Sequence, residues 1–464
     1  MLFFEPAFFV FFAVYCALHM LLPPRWRLWL VIGGSTVFYA RWRPAYIALP
    51  YILAFMAWAS ALWLDGARED GPRRRRLALT LILIFLPLAV VKYAGFLVHD
   101  VLRLDDVAKV PALRWPLPLG ISFITFTLSA YVIDVSRRNY PIERSFPVLL
   151  GHTLFFPHLI AGPILRPSEL MPQLRRPRPA LGARFKAGVT IFTAGLVKKL
   201  VFADAIGQVV DLAYSGGAGR DAWRHLIAIY GFAVQIYCDF SGYSDMAVGL
   251  AAMLHIRLPA NFRRPYAAAS MVDFWRRWHV TLSHWLRDYL YIPLGGNRGG
   301  RLGQLRNILI TMMLGGLWHG ANWTFLAWGL LHGAALGINH VVRRPMARAG
   351  LTPPAWLARL LTFHFVVGAW IFFRARTMGE AGNIVGSVIH GDWSGPGQIL
   401  HQQAYVLLLM VIFYAVHRYD RHVWMRLAAR RVRPALLFPA LGLCWILAIA
   451  LSPPGTAKFI YFDF

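Results

Sequence analysis

Arg73-Arg74-Arg75-Arg76-Leu77-Ala78-Leu79-Thr80-Leu81-Ile82-Leu83-Ile84-Phe85-Leu86-Pro87-Leu88-Ala89-Val90-Val91-Lys92-Tyr93-Ala94-Gly95-Phe96-Leu97-Val98 sets four arginines against an apolar run that holds a single charge. A helix needs about 20 apolar residues to cross the hydrocarbon core of a bilayer, and this run supplies them. Lys and Arg gather in the cytoplasmic loops of such proteins, so the run reads as a span rising from a basic cytoplasmic loop. The pattern recurs. Further apolar runs, bounded by charge or by Pro and Gly, fall at 3–22, 26–40, 45–64, 117–135, 185–214, 226–254, 323–342, 356–373, 404–416 and 435–451. Two more, 152–164 and 308–318, are short for a crossing. They read as re-entrant or half-depth helices, which are tolerated where protein walls a cavity.

Composition points the same way. Hydrophobic residues make up 58% of the 464 and charged ones 15%, with mean hydropathy +0.50; a typical soluble domain is roughly 25% charged. The expected fold class is an all-α polytopic membrane protein, one integral membrane domain over 1–464, with about 11 crossings at this span length. The net charge is +27. In a soluble protein that would suggest nucleic acid; here the basic residues lie in short loops, topology accounts for them, and no nucleic-acid partner is called for. The loops at 73–76, 166–186, 257–306 and 418–433 are the basic ones and are expected in the cytoplasm. Those near 100–114, 215–224 and 374–403 are mixed and are expected outside. Counting crossings then puts both termini outside. Cys16, Cys238 and Cys444 stand singly in apolar runs, which implies neither a disulfide framework nor a metal site. The opening Met-Leu-Phe-Phe-Glu has no basic n-region, so the first run is expected to be an uncleaved span.

Polar groups inside hydrocarbon are costly and mark sites to be explained. Gln235, Asp239 and Tyr243 recur at i, i+4 and share one helix face. They read either as a helix-packing cluster with a small-residue contact at Gly242 or as a support for a catalytic imidazole. The second constellation runs from Ser270 to Tyr289. Ser270-x-x-Asp273 resembles a capping box, and Trp275, Trp278, Leu282, Trp285, Leu286 and Tyr289 make an apolar stripe at helical spacing. Arg277, Thr281, His284 and Asp288 make the opposite stripe, so the segment is expected to be a basic amphipathic helix within a cytoplasmic segment 255–307. The plain account is an interfacial helix held by tryptophans and lipid phosphates; His279, on the buried edge, fits it less well. The third is Leu314-Gly315-Gly316-Leu317-Trp318-His319-Gly320-Ala321-Asn322-Trp323. Glycines around a lone His permit local unwinding, and the short run before it puts His319 at mid-depth, beside a cavity or as a satisfied core residue.

Trp275-Arg276-Arg277-Trp278-His279-Val-Thr-Leu-Ser-His-Trp-Leu-Arg287-Asp288-Tyr289-Leu-Tyr-Ile-Pro-Leu-Gly295-Gly296-Asn297-Arg298 resembles the signature of the membrane-bound O-acyltransferase family, in particular its alginate O-acetyltransferase branch. His158-Leu-Ile-Ala-Gly162-Pro163-Ile164, Cys238-Asp-Phe-Ser-Gly-Tyr-Ser-Asp245, Leu317-Trp-His319-Gly-Ala-Asn-Trp323 and Phe459-Ile-Tyr461-Phe-Asp-Phe464 resemble the same branch, in the same order. Asp463 departs from the Gln expected there. The resemblance implies a ring of transmembrane helices around a funnel, in a bacterial inner membrane. A thioester donor, acetyl-CoA or an acyl carrier, would enter from the cytoplasm, and the acceptor would be an exported polysaccharide. It also implies a periplasmic partner of SGNH-hydrolase type, and His319 and His279 as the two functional histidines.

Acyl transfer to a hydroxyl needs a base, and an imidazole titrating near ~6.5 suits it. His319 is expected to be that base. His279 is expected to polarise the thioester carbonyl or steer the donor. Asp239, Tyr243, Trp275, Trp278, Arg276, Arg277, Arg287 and Asn322 are expected to contact substrate, with the arginines drawing in an anionic donor. No metal or bound cofactor is signalled. The tail after Ser452-Pro453-Pro454-Gly455 is expected outside, either as an aromatic anchor at the interface or folded back so that Tyr461 relays the acyl group. Other readings are transfer of a D-alanyl group, acetylation of cellulose or peptidoglycan, or a transporter or flippase without chemistry.

Overall fold

The computed structural model describes residues 2–66, 69–104, 116–176, 182–453 and 459–460. Helices form where the apolar runs lie, because backbone polar groups away from water must be satisfied within the segment. Pro44–Asp65, Asp70–Val101, Trp323–Arg348, Ala355–Arg374 and Pro434–Leu451 are long and apolar enough to cross a bilayer, and Pro6–Leu21, Ile121–Ser136 and Ala404–Tyr419 are shorter apolar helices. Pro24–Ala40 and the 32-residue Ala222–Met253 are helical as well. Run 185–214 becomes Ala183–Val197, a π turn at Lys198–Ala203 and Asp204–Leu212. Among the described residues there is no strand, only an isolated bridge between Asp221 and Asp392. The chain is an all-α membrane protein.

Its contacts divide into two compact units, Met1–Phe192 with Met246–Pro259, and Thr193–Asp245 with Ala260–Phe464. The first unit is built on aromatics. Phe8 and Phe12 stack at 5.8 Å, and Phe11, Tyr15 and Phe38 close on Phe156 at 5.4–5.5 Å. Ile32, Ala54, Leu150 and Leu154 form a second cluster. The arginine quartet lies inside a helix here, not in a loop, since that helix begins at Asp70. Arg73 Nε and Nη2 donate to the carbonyls of Ser136 and Val135, each at 2.9 Å, which serves the open C-terminal end of Ile121–Ser136. Run 152–164 is a broken element, Phe146–Leu154 and Phe156–Leu159, interrupted at Phe155 (φ −45, ψ 101).

In the second unit Gly300–His319 and Trp323–Arg348 form a helical hairpin. Its first arm is longer than the apolar run 308–318. It has 20 residues, about 30 Å at 1.5 Å per residue, because Arg301, Gln304 and Arg306 are good helix formers and extend it beyond its apolar part. A side chain on Gly316 would run into the Phe325 backbone, so the arms cross on small residues. A Cβ on Gly242 would likewise lie 2.7 Å from the Gly195 carbonyl, the small-residue contact expected there.

The amphipathic helix expected across 270–289 is not continuous. Met271–Trp275 and Val280–Leu286 are separate helices, followed by a π turn at Arg287–Tyr291. Between the two helices His279 takes φ 40, in the left-handed region that non-glycine residues rarely adopt. The N-cap was legible: Ser270 Oγ accepts the Asp273 N–H at 3.1 Å. The Asp273 carboxylate, however, reaches the Ala269 N–H instead of closing the box on Ser270, and pairs with Arg277 at 2.8 Å.

Candidate active site

His319 ends its helix, and Gly320 (φ −159, ψ 145) turns the chain out of it. Asn322 then caps the next helix. Its Oδ1 accepts the Thr324 N–H at 3.0 Å, and its Nδ2 donates to the Arg376 carbonyl at 2.8 Å. The His319 ring is buried among Trp318, Trp328 and Phe373, with centroids at 5.0, 5.3 and 5.1 Å. The turn that follows opens at once onto a cavity of about 870 Å³, walled by Gly320, Ala321 and Asn322 with Gln208, Tyr214 and Arg374. A buried imidazole therefore stands one residue from a wide polar space.

His279 is fully buried, and its hydrogen bonds fix its tautomer. Asn261 Oδ1 accepts from the Thr281 backbone N–H at 3.2 Å, from Thr281 Oγ1 at 3.0 Å and from His279 Nδ1 at 3.2 Å. A backbone N–H can only donate, so the amide oxygen must face this group and Nδ1 must carry the proton. Nε2 is left as a buried lone pair with no hydrogen-bond partner among the described residues. A lone pair accepts a proton or an N–H; it does not polarise a carbonyl. Of the two roles expected for His279, this tautomer suits steering the donor. The ring lies edge-on to Phe240 at 4.6 Å and 6.0 Å from Trp318, the indole that also touches His319.

The other expected residues separate into groups. Trp278 packs on Trp370 at 4.9 Å and Phe262 at 5.1 Å and serves the core. Trp275 is buried and helps line an apolar cavity of about 410 Å³ with Leu286, Ile308 and Met312; Arg287 and Asn297 supply polar wall. Arg287 is gripped by Asp288 and Arg277 by Asp273, while Arg276 is exposed where the two short helices part. Asp239 and Tyr243 lie on one face of Ala222–Met253. Asp239 forms an ion pair with Lys199 at 2.8 Å and accepts the Ile460 N–H at 2.7 Å. Tyr243 packs against Phe459 at 4.8 Å. Tyr461 lies outside the described residues. Among those residues no group of three His, Cys, Asp or Glu is placed to hold a metal ion.

Sequence reasoning missed two features. Lys198 and Lys199, on the π turn, each bridge two carboxylates: Lys198 meets Asp245 at 2.7 Å and Asp420 at 2.5 Å, and Lys199 meets Asp204 at 2.7 Å as well as Asp239. The signal was two adjacent lysines inside an apolar run. The second feature is His332, fully buried, with both ring nitrogens lacking a hydrogen-bond partner among the described residues. It lies tilted against Trp328 at 4.6 Å and edge-on to Trp275 at 5.3 Å, and its signal was Trp328-x-x-x-His332 on one helix face.

The histidines can be told apart by mutation. Asn tolerates left-handed backbone, so His279→Asn is expected to fold and insert while acyl transfer falls about tenfold, the order of one buried hydrogen bond left unmade. His284 is exposed, and His284→Ala is expected to stay within the ~0.5 kcal/mol of an ordinary surface change. Equal, mild effects on polymer acylation would return this segment to simple interfacial anchoring.

The chain thus sets two buried imidazoles and a cavity at a hairpin turn within an all-α membrane architecture. Residues 136–379 match the model of the membrane-bound O-acyltransferase family. The chain is 38% identical over 421 residues to the probable alginate O-acetylase AlgI of Azotobacter vinelandii, covering 88% of this chain and 83% of that one. It is 39% identical over 395 residues to the probable alginate O-acetylase AlgI of Pseudomonas syringae pv. tomato, covering 83% and 74%. It is 38% identical over 381 residues to the peptidoglycan O-acetyltransferase of Helicobacter pylori, covering 76% and 72%. The chain belongs to the membrane-bound O-acyltransferase family and is a multi-pass membrane O-acyltransferase; the transporter reading is set aside.

Proposed function

We propose that the enzyme moves an acetyl group from a cytoplasmic thioester, acetyl-CoA or an acyl carrier, to hydroxyls of an exported, alginate-like polysaccharide. The observation that carries this reading is the buried His319 imidazole set at a hairpin turn that opens onto a polar cavity of about 870 Å³. His319 is the general base. It takes the proton of the attacking hydroxyl as the oxygen bonds to the thioester carbonyl carbon; the C–S bond then breaks and the thiolate leaves, protonated in turn. Neutral imidazole suits that step near pH 7. His279 accepts an N–H from the donor's amide arm through Nε2. Trp275, Arg287 and the apolar cavity beside them take the arm itself, and Arg276 and Arg277 attract its charge. Asn322 shapes the acceptor side. Asp239 and Tyr243 hold the C-terminal tail, and Tyr461 receives the acyl group before a periplasmic SGNH-hydrolase-like partner passes it to the polymer.

In this reading the chain is one domain in the bacterial inner membrane, a ring of about 11 crossings around a funnel. Segment 255–307 faces the cytoplasm, and both termini, with tail 452–464, lie outside. The basic loops and the positive-inside rule support that orientation. A cysteine placed at Arg301, with Cys16, Cys238 and Cys444 removed, is expected to react with an impermeant thiol reagent only from the cytoplasmic side. Labelling from outside would overturn the orientation and the donor side together. The reaction is tested with the purified protein in proteoliposomes together with the SGNH-hydrolase-like partner, supplied with labelled acetyl-CoA and, separately, with an acyl-carrier thioester. Transfer of label to uronate polymer is expected. Transfer only to peptidoglycan or cellulose, or only from a D-alanyl carrier, would replace the substrate named here.

A further inference from the structure

The first unit holds a cavity of about 650 Å³ between helix Pro167–Arg175, Arg184 and residues 255–259, within the size range of small-molecule sites. Arg176, Arg184 and Arg257 line it, with Glu169 as the opposing charge. That carboxylate is already engaged: its Oε2 accepts the Arg166 N–H at 2.8 Å. Burial holds its carboxyl above the usual range, partly offset by that bond and the Arg166 charge.

The walls are held in place. The Gln173 amide pairs with both backbone groups of Arg257, donating to its carbonyl at 3.0 Å and accepting its N–H at 2.9 Å. Arg184 Nη1 donates to the carbonyl of His255, which takes φ 63. The positive-inside tendency would scatter arginines over the cytoplasmic face. Here three line one concavity whose backbone is pinned by side-chain hydrogen bonds.

We propose that this cavity binds a phosphate-bearing group, a phosphomonoester or a diphosphate. Guanidinium groups match phosphate oxygens in a planar fork that an ammonium cannot offer. A group of two or more negative charges answers three guanidiniums better than a single carboxylate does. Two sources carry this chemistry, the nucleotide end of an acyl-CoA and the headgroup of an anionic lipid. The first rests on the donor proposed above; the site itself does not, and its test involves no acyl transfer.

The full-length protein is placed in nanodiscs of phosphatidylcholine and titrated calorimetrically with adenosine 3′,5′-bisphosphate. Saturable binding is expected. Arg184→Gln together with Arg257→Gln is expected to weaken it by at least about tenfold, the order for hydrogen bonds to charged groups. Arg301→Gln, a charge of the same sign outside the cavity, is expected to leave it unchanged. If the double variant fails to insert, Arg257→Gln alone serves, since Arg257 is exposed. Retention of phosphatidylglycerol by wild type, lost in the arginine variant, would support the site and name lipid as the source. No saturable nucleotide binding together with no such lipid retention would overturn the proposal, as would an equal loss in Arg301→Gln.

Discussion

Replacing His319 with Ala is expected to bring acylation of the exported polymer to background, with the protein still inserted. Removing a positioned base costs about 10²–10⁴-fold in the chemical step. The ring is held by Trp318, Trp328 and Phe373, so truncation also leaves a hole, and lost packing must be separated from lost chemistry. His319→Gln keeps polar atoms and much of the volume without a base near neutrality; it is expected to be as inactive as Ala and more stable. The measurement is acetyl content of the polymer alongside thioester turnover in the membrane fraction. Near-normal acylation in the Gln variant would remove His319 from the mechanism.

Much of the fold was legible because hydrocarbon leaves few choices. A run such as 435–451 has no way to satisfy its backbone except as a helix, and it is one. The N-cap at Ser270 and the small-residue contact at Gly242 were local patterns and were readable for the same reason. The break at His279 was not, because nothing in Trp275-Arg276-Arg277-Trp278-His279 forbids a helix. The left-handed turn is held from a distance: Asn261 bonds the ring and Thr281, and its carbonyl accepts the Val280 N–H. The dual lysine bridges were hidden in the same way, since Asp239, Asp245 and Asp420 lie far along the chain from Lys198 and Lys199. Arg73 was visible as a basic residue but not as the partner of the carbonyls at 135 and 136, which only packing brings to it.

Tyr461→Phe is expected to abolish polymer acylation while leaving the protein folded, because it removes one hydroxyl and keeps the ring. An aromatic anchor at the membrane interface would place the tail's aromatics at the headgroups. Phe459 is instead wholly buried against Tyr243 and 6.3 Å from Phe240, the ring that also touches His279. The Ile460 N–H donates to Asp239 Oδ2 at 2.7 Å, and Asp239 is fixed by Lys199. The residue before Tyr461 is thus tied to the helix that also carries Phe240. A phenol so tethered would let a bulky polysaccharide stay outside the membrane. In the proposed relay the phenol oxygen would attack the thioester carbonyl, its proton going to the base as the thiolate leaves. The phenyl ester would then yield its acyl group to an acceptor hydroxyl, whose proton passes to the departing phenolate, a better leaving group than an alkoxide since its conjugate acid titrates near ~10. Two easier steps replace one hard one. Asp239→Ala should disturb more than the tail, because it removes one of the two carboxylates that hold Lys199, with Asp204 remaining, as well as the acceptor of the Ile460 N–H. The clean test is therefore Tyr461→Phe, read by polymer acylation and by the mass of the C-terminal peptide. In the wild type without the proposed periplasmic partner, that peptide should carry one acetyl group on Tyr461; a fully active Tyr461→Phe enzyme would end the relay.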